Sequence, residues 1–253
     1  NNIFDIIYTW VQNRAIKWKY SKISKIVKSG NLLDIGGGRG EFCSYLKGCG
    51  WQVSIQDTSL KARTKSKSDN IETFASLNDI TNKKFNLITM WHSLEHLHDI
   101  QELFENLRRL ISSEGILVIA VPNINAPERK WYGKNWAPWD APRHLYHFSY
   151  SHLNLLLDKH GWEIINKYPM IQDTPYNILL SMSSKSIFQL IYAILILIYS
   201  FIMVAFRGVN SSSSFMLICK KKIKILVLIF SLSCSTLPPS QGNNSELIII
   251  ASS

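Results

Sequence analysis

The sequence predicts an α/β protein with a mainly parallel sheet and helices on both faces. Three observations carry that expectation. Short apolar, β-branched runs alternate with segments of helical period from residue 31 to about residue 168, the pattern of parallel strands joined by crossover helices. A glycine-rich turn, "DIGGGRGEF", directly follows the first of these runs. The 253 residues suffice for one such domain with a sizeable core, without need of a second.

In chain order, Ile3, Ile7, Trp10, Arg14, Trp18, Ile23, Ile26 and Val27 fall at mostly helical spacing among lysines. They predict one or two basic amphipathic helices over residues 1–30, serving as a lid or packing element. Asn31–Ile35 is a short buried strand. Phe42, Tyr45, Leu46 and Cys49 mark a helix face that stops at Gly50. Residues 51–56 form a second strand before Asp57, residues 64–70 an exposed helix end or loop, and residues 71–74 a short third strand. Phe85–Trp91 is the fourth. Asp99 can cap the next helix with Glu102 as capping-box partner, and Leu103, Leu107, Leu110 and Ile111 supply its apolar face. "ILVIAVPN" is the most strand-like run in the chain. Ser149 or Ser151 can cap a helix carrying Leu153, Leu156 and Leu157, and residues 162–167 resume strand character.

The glycine turn narrows the ligand. A dinucleotide fingerprint, GxGxxG, is half met by Gly36 and Gly38, but its third glycine position is Glu41, and Gly40 comes one residue early. A carboxylate in the first helical turn repels a pyrophosphate, so a phosphate ligand is disfavoured. Asp34, before the glycines, suits a cationic amino group, and Asp57, after the second strand, can accept hydrogen bonds from two ribose hydroxyls. Together they describe a nucleoside with a positively charged amino-acid tail. Singly, Asp34 can equally tie down the turn and Asp57 cap the next helix.

"DIGGGRG" resembles the DxGxGxG motif of class I S-adenosylmethionine-dependent methyltransferases, with Asp57 at their second-strand acidic position. "ITMWHSLEHLHD", "ILVIAVPN" and "APRHLYHFS" resemble a subfamily similar to the ubiquinone-pathway O-methyltransferases, in the right order and spacing. The resemblance implies a Rossmann-like, seven-stranded, mainly parallel sheet over residues 31–222, whose sixth and seventh strands form an antiparallel pair, with "SSFMLICKKK" as the seventh. S-adenosylmethionine is the implied cofactor. Gly36, Gly38 and Gly40 would line its amino-acid end, Asp34 would help hold that loop and the ammonium, and Asp57 would bind the ribose. Asn78 and Asp79 would lie near the adenine, and Trp91 and His92 would flank the methionine moiety. One departure is Asn86, where this family usually has an acid.

Methyl transfer from a sulfonium needs alignment and exclusion of water, and a base only for a weak nucleophile such as a hydroxyl. His92, Glu95, His96, His144 and His147 are the candidate bases, and helical spacing would put the first three on one face. In the family the Glu/His pair lies beside the acceptor pocket, which makes Glu95 and His96 the leading pair, although either can instead anchor the following loop. The long aperiodic segment 123–149 is rich in Trp and Tyr, and loops of this length are usually functional. It reads as a cap over the site that contacts substrate through Trp136, Arg143 and His144.

Residues 186–206, "SIFQLIYAILILIYSFIMVAF", are 21 uncharged residues, enough for a hydrocarbon core, and read as a transmembrane or deeply interfacial helix, with a buried helix hairpin as the alternative. Because this hydrophobic insert would sit between two paired strands, a single span would separate them, and a re-entrant or interface-lying hairpin on the cytoplasmic face is expected. The tail, residues 223–253, resembles a bacterial lipoprotein signal sequence displaced to the wrong end of a chain, and no catalytic role is expected of it. The net charge of +10 collects in residues 14–28, 63–67 and 220–224, which suits an anionic membrane or nucleic acid, though solvated lysine faces are the commoner origin. The four cysteines show neither CxxC nor Cys/His ligand spacing, so no zinc site or disulfide framework is expected, and the domain suits a reducing cytoplasm. The expectation is thus a cytoplasmic enzyme at the inner face of the membrane, methylating a small-molecule or lipid- or glycan-linked acceptor, with oxygen as the expected target atom. A non-catalytic membrane-bound module is the alternative, disfavoured by the ribose carboxylate. Nucleic acid is disfavoured as a partner because no base-flipping tetrad is present.

Overall fold

The structure is a computed structural model and describes residues 3–184 and 186–222. In chain order the elements are α1 (Ile3–Ile23), β1 (Asn31–Ile35), α2 (Glu41–Gly48), β2 (Gln52–Gln56), α3 (Leu60–Ser68), β3 (Glu72–Phe74), β4 (Phe85–Trp91), α4 (Ile100–Leu110), β5 (Ile111–Pro122), α5 (Pro127–Tyr132), α6 (Tyr150–Lys159), β6 (Trp162–Pro169), α7 (Asp173–Ser181), α8 (Ile187–Arg207) and β7 (Ser214–Lys221). The seven strands form one sheet in the order β3-β2-β1-β4-β5-β7-β6. Strands β1 to β5 pair in parallel, and β7 runs antiparallel to both β5 and β6. The strand order reverses between β1 and β4, which opens a crevice at their carboxyl ends.

Strand periodicity explains why the β5 run is apolar throughout. Leu117, Ile119 and Val121 enter the core on one face with Leu103, Phe104 and Leu107 of α4 and Leu153 and Leu157 of α6. Ile116, Val118 and Ala120 enter the other with Ile16 and Ile23 of α1 and Phe42 and Leu46 of α2. A strand covered on both sides has no polar face to show. Asn86, the departure from the family pattern, accepts the Asn31 N–H through Oδ1 at 2.9 Å, joining the starts of β1 and β4.

Several local expectations change. The N-terminal segment is a single helix ending at Ile23. Residues 60–68 form a whole helix, α3, capped by the Ser59 hydroxyl, which accepts the Ala62 N–H. Asp99 does cap α4, accepting the Glu102 N–H at 2.8 Å, but the Glu102 carboxylate accepts from Asn78 Nδ2 instead. Ile111, expected on the α4 face, is the first residue of β5, paired with Phe85. Ser149 is the cap of α6, accepting the His152 N–H at 3.1 Å. Helix α7 has no counterpart in the sequence reading. Cys43, Cys49 and Cys219 are free thiols.

The hydrophobic helical insert expected at residues 186–206 is present as α8, one continuous helix of 21 residues and not a hairpin. Ala193, Ile196, Ser200 and Val204, one helical stripe, are buried against α5 and α7. Glu128 of α5 is buried and accepts hydrogen bonds from Ser200 of α8 and from Ser213 at the entry to β7, fastening the helix to the domain; burial raises its pKa. The chain leaves the sheet at Pro169 and re-enters beside it, where Pro169 pairs with Phe215. Both ends of the insert therefore return to the same end of the sheet. The tail expectation, residues 223–253, lies outside the described residues.

Two substitutions test this packing. Asp99→Ala should cost about 1 kcal/mol through the lost cap, and Phe104→Ala about 3–5 kcal/mol through the cavity, both read from urea denaturation midpoints.

Candidate active site

Short connections at the carboxyl ends of β1, β2 and β4, with the long segment 123–149 after β5, build the site. After β1 the backbone turns on glycines. Gly36 has φ +69°, and a Cβ there would lie 2.6 Å from the Cβ of Ser93, so the turn can approach the β4 loop only without a side chain. Ser93 in turn donates its hydroxyl to the Ile35 carbonyl at 2.9 Å. Gly40, at φ +77°, is the N-cap of α2. At Gly38 a Cβ would meet nothing within 4 Å, leaving open space against bare backbone.

Asp57 joins two of these turns. Its Oδ2 accepts the Gly38 N–H at 3.0 Å and its Oδ1 accepts the Ser59 N–H at 2.8 Å. A carboxylate offers roughly four lone-pair sites, so each oxygen retains capacity for a further donor. Gly38 and Ser59 both line a cavity of about 430 Å³ with Arg39, Lys61, Ala62 and Lys65.

Asp34 is only 2% exposed and lies beneath the turn. It accepts from Thr89 Oγ1 at 2.6 Å and contacts Cys43 Sγ at 3.9 Å. Burial raises its pKa to about 7, opposed by the Thr89 hydrogen bond and by the Lys19 charge. Trp91 packs edge-on to Phe42 with ring centroids 5.0 Å apart, and the Lys19 ammonium lies 4.1 Å from its centroid. Burial lowers the Lys19 pKa while the Asp173 and Asp34 charges raise it. Lys19 reaches the site from α1, so the N-terminal helix is part of the site wall. Asn78 and Asp79, in a one-turn helix after β3, are engaged locally: Asn78 with Glu102, and Asp79 accepting the Ser76 N–H at 2.8 Å in a capping box.

A second cavity, of about 510 Å³, has a wall that includes His92, Glu95, Asp140, Arg143, His144 and Asp173. The helical face expected of His92, Glu95 and His96 is absent. His92 has φ +50°, and only Leu94–His96 make a single tight turn. The geometry still joins His92 to two carboxylates, with Nε2 3.2 Å from Asp173 Oδ2 and Nδ1 3.6 Å from Glu95 Oε1. Burial would lower the His92 pKa, but the adjoining Asp173 and Glu95 carboxylates outweigh it and raise the pKa to about 9. The two carboxylates thus favour the imidazolium form of His92, which has no lone pair with which to take a proton.

Glu95 is fully buried, and its backbone carbonyl accepts the Leu145 N–H at 2.8 Å, clamping the 123–149 segment over the site. Nδ1 of His96 donates to the Arg143 carbonyl at 2.9 Å and Nδ1 of His144 to the Pro138 carbonyl at 2.8 Å, since a carbonyl can only accept. Arg143 is ion-paired with Asp140 at 2.6 Å. Trp136, expected at the substrate, is 1% exposed and packs edge-on to Trp139, so it supports the cap from inside. Lys19 and Asp173 were missed by sequence reasoning: neither lies in a motif, and only the packing of α1 and α7 brings them to Trp91 and His92.

The raised His92 pKa has a sign. Its contribution to stability is fully present below the unfolded value of 6.5 and is lost as pH rises through about 9. Asp173→Asn should move the His92 ring titration, followed by NMR, to lower pH and remove that limb from the stability profile; an unmoved titration would contradict the pairing.

The sequence model of the methyltransferase domain family matches residues 10–167, more than half of the chain. No curated protein matches it. Among solved structures, the chain resembles an S-adenosylmethionine-dependent methyltransferase from Archaeoglobus fulgidus, with TM-score 0.52, 18% identity, and 87% of this chain and 100% of that one covered. It also resembles geranyl diphosphate C-methyltransferase from Streptomyces coelicolor A3(2), with TM-score 0.56, 14% identity and coverage of 79% and 77%. A third is a mycolic acid cyclopropane synthase, with TM-score 0.54, 13% identity and coverage of 80% and 84%. At these identities the structures show a shared fold. The open backbone at Gly38, the remaining acceptor capacity of Asp57 and the adjoining cavity fit the cofactor of that family, and the chain belongs to the methyltransferase domain family as a class I S-adenosylmethionine-dependent methyltransferase.

Proposed function

We propose that this enzyme methylates an oxygen of an amphipathic, lipid- or glycan-linked acceptor at the inner face of the cytoplasmic membrane. The observation that carries this is the placement of the acceptor cavity beside a large apolar surface. Tyr176 and Leu180 of α7 line the cavity and are each 57% exposed. Next to α7, the α8 stripe Ile191, Leu195, Ile198 and Ile202 is exposed, opposite the buried stripe. An apolar helix face of this size suits partial immersion in a bilayer. An acceptor whose hydrocarbon part stays in the lipid can then present its polar end to the cavity. Two of the structurally similar proteins act on geranyl diphosphate and mycolic acid by their names, which is compatible with an amphipathic acceptor here.

When bound, the cofactor supplies a methyl group on a sulfonium. Asp57 and the Gly38 backbone would hold the nucleoside and Trp91 would flank the methionine part, with Gly36, Gly40 and Asp34 shaping the turn. Asn78 and Asp79, at the end of β3, are the proposed adenine neighbours. Glu95, with the free Nε2 atoms of His96 and His144, offers sites for the acceptor's hydroxyl proton. His92, in contact with Asp173, also lies beside the Glu95 carboxylate. The cap closed by the Glu95–Leu145 hydrogen bond excludes water.

Methyl-labelled cofactor, incubated with the protein and a lipid extract, should label the lipid-soluble fraction, and Glu95→Gln should abolish the label. The Leu195→Asp/Ile198→Asp variant should float with anionic vesicles about tenfold less or worse, given roughly 1.5–3 kcal/mol per buried aliphatic side chain. Unchanged flotation, or label confined to water-soluble products, would contradict the proposal.

A further inference from the structure

We infer that Glu95, His96 and His144 form a site for one divalent transition-metal ion, which reads the acceptor side of the proposed site more closely and rests on that assignment. The ligand atoms of these three residues lie within 4.8 Å of one another. Their protonation is set by their surroundings. Each imidazole spends its Nδ1–H on a backbone carbonyl, His96 on Arg143 and His144 on Pro138, so in the neutral ring the Nε2 lone pair is left free. Carbonyl-oriented imidazoles of this kind are the usual arrangement of metal-binding histidines.

Glu95 supplies the independent observation. It is fully buried, and neither carboxylate oxygen has a hydrogen-bond partner. The nearest charge-bearing group, His92 Nδ1, is 3.6 Å from Oε1, and Asp140 Oδ2 lies 3.8 Å from His144 Nε2. A buried carboxylate without hydrogen bonds is costly. Here it converges with two nitrogen lone pairs, and one metal ion between the three would engage all of them, which His92, in contact with Glu95 alone of the three, does not. Nitrogen and carboxylate ligands suit borderline ions such as Zn²⁺, which bonds at about 2.0–2.2 Å, so the cluster would contract on binding.

Three protein ligands leave coordination open, as in metal sites that take substrate. Glu95 and His144 both line the acceptor cavity, so the open position would receive an acceptor oxygen, and the bound ion, by lowering the pKa of that hydroxyl, would replace direct proton transfer to its three ligands, the proton leaving to solvent. The cysteine-based reading of the sequence passes over such a site, because His144 joins the Glu95–His96 pair only through the folded cap.

The test is calorimetric titration of chelator-treated protein with Zn²⁺ alone, with no cofactor or acceptor present. One saturable site per chain is expected, with affinity reduced about tenfold or more in each of His96→Ala and His144→Ala. His152→Ala, on the exposed start of α6, should bind as the parent does. Cofactor titration of each protein, read separately, shows that the fold persists and distinguishes failure of the metal site from failure of the methyltransferase assignment. No saturable binding by the parent, or parental affinity in either ligand variant, would overturn the inference.

Discussion

The Asp57 carboxylate, by accepting the Gly38 and Ser59 N–H groups, ties the turn after β1 to the turn after β2 and sets the width of the crevice between them. Everything at the cofactor end depends on that tie. Gly36 can fold against Ser93 only because the turn is drawn toward β2, and the Gly36 N–H completes the link by donating to the Gln56 carbonyl at 2.7 Å. Asp34 works from below, where its bonds to Thr89 and Cys43 join β1 to β4 and to α2. Of the two acidic residues, Asp57 faces the ligand region and Asp34 supports it.

The acceptor end is organised by charge and by the cap. Asp173, His92 and Glu95 form a line from α7 to the loop after β4, so the insert that begins with α7 contributes directly to the site. The same insert continues into α8, whose Ser200 bond to Glu128 holds it on the domain. One segment thereby joins the His92–Glu95 cavity to the apolar surface. The β6–β7 pairing keeps both ends of the insert on one side of the sheet, which a single transmembrane passage would not allow.

Much of the fold was legible in the sequence because local patterns coincide with it. The β1, β4 and β5 runs are two-sided apolar strands, Asp99 and Ser149 are local caps, and the glycine turn is a contiguous motif. What was illegible depends on distant packing. The polar α3 has little apolar periodicity to announce it. Ile111 changes from helix to strand because Phe85 is available to pair with it. Trp136 looks like a surface aromatic in an aperiodic segment, but the folded cap turns it inward. Lys19, Asp173 and the meeting of His144 with Glu95 require helices and loops from separate parts of the chain, which no spacing rule supplies.

The central claim is that Asp57 organises and binds the nucleoside end of S-adenosylmethionine. Calorimetric titration of the parent and of Asp57→Ala with S-adenosylmethionine or its demethylated product tests it most directly. Removing a charged acceptor of several hydrogen bonds, each worth about 1.5–3 kcal/mol, should weaken binding by about a hundredfold or more. No binding by the parent, or equal affinity in the two proteins, would contradict the account.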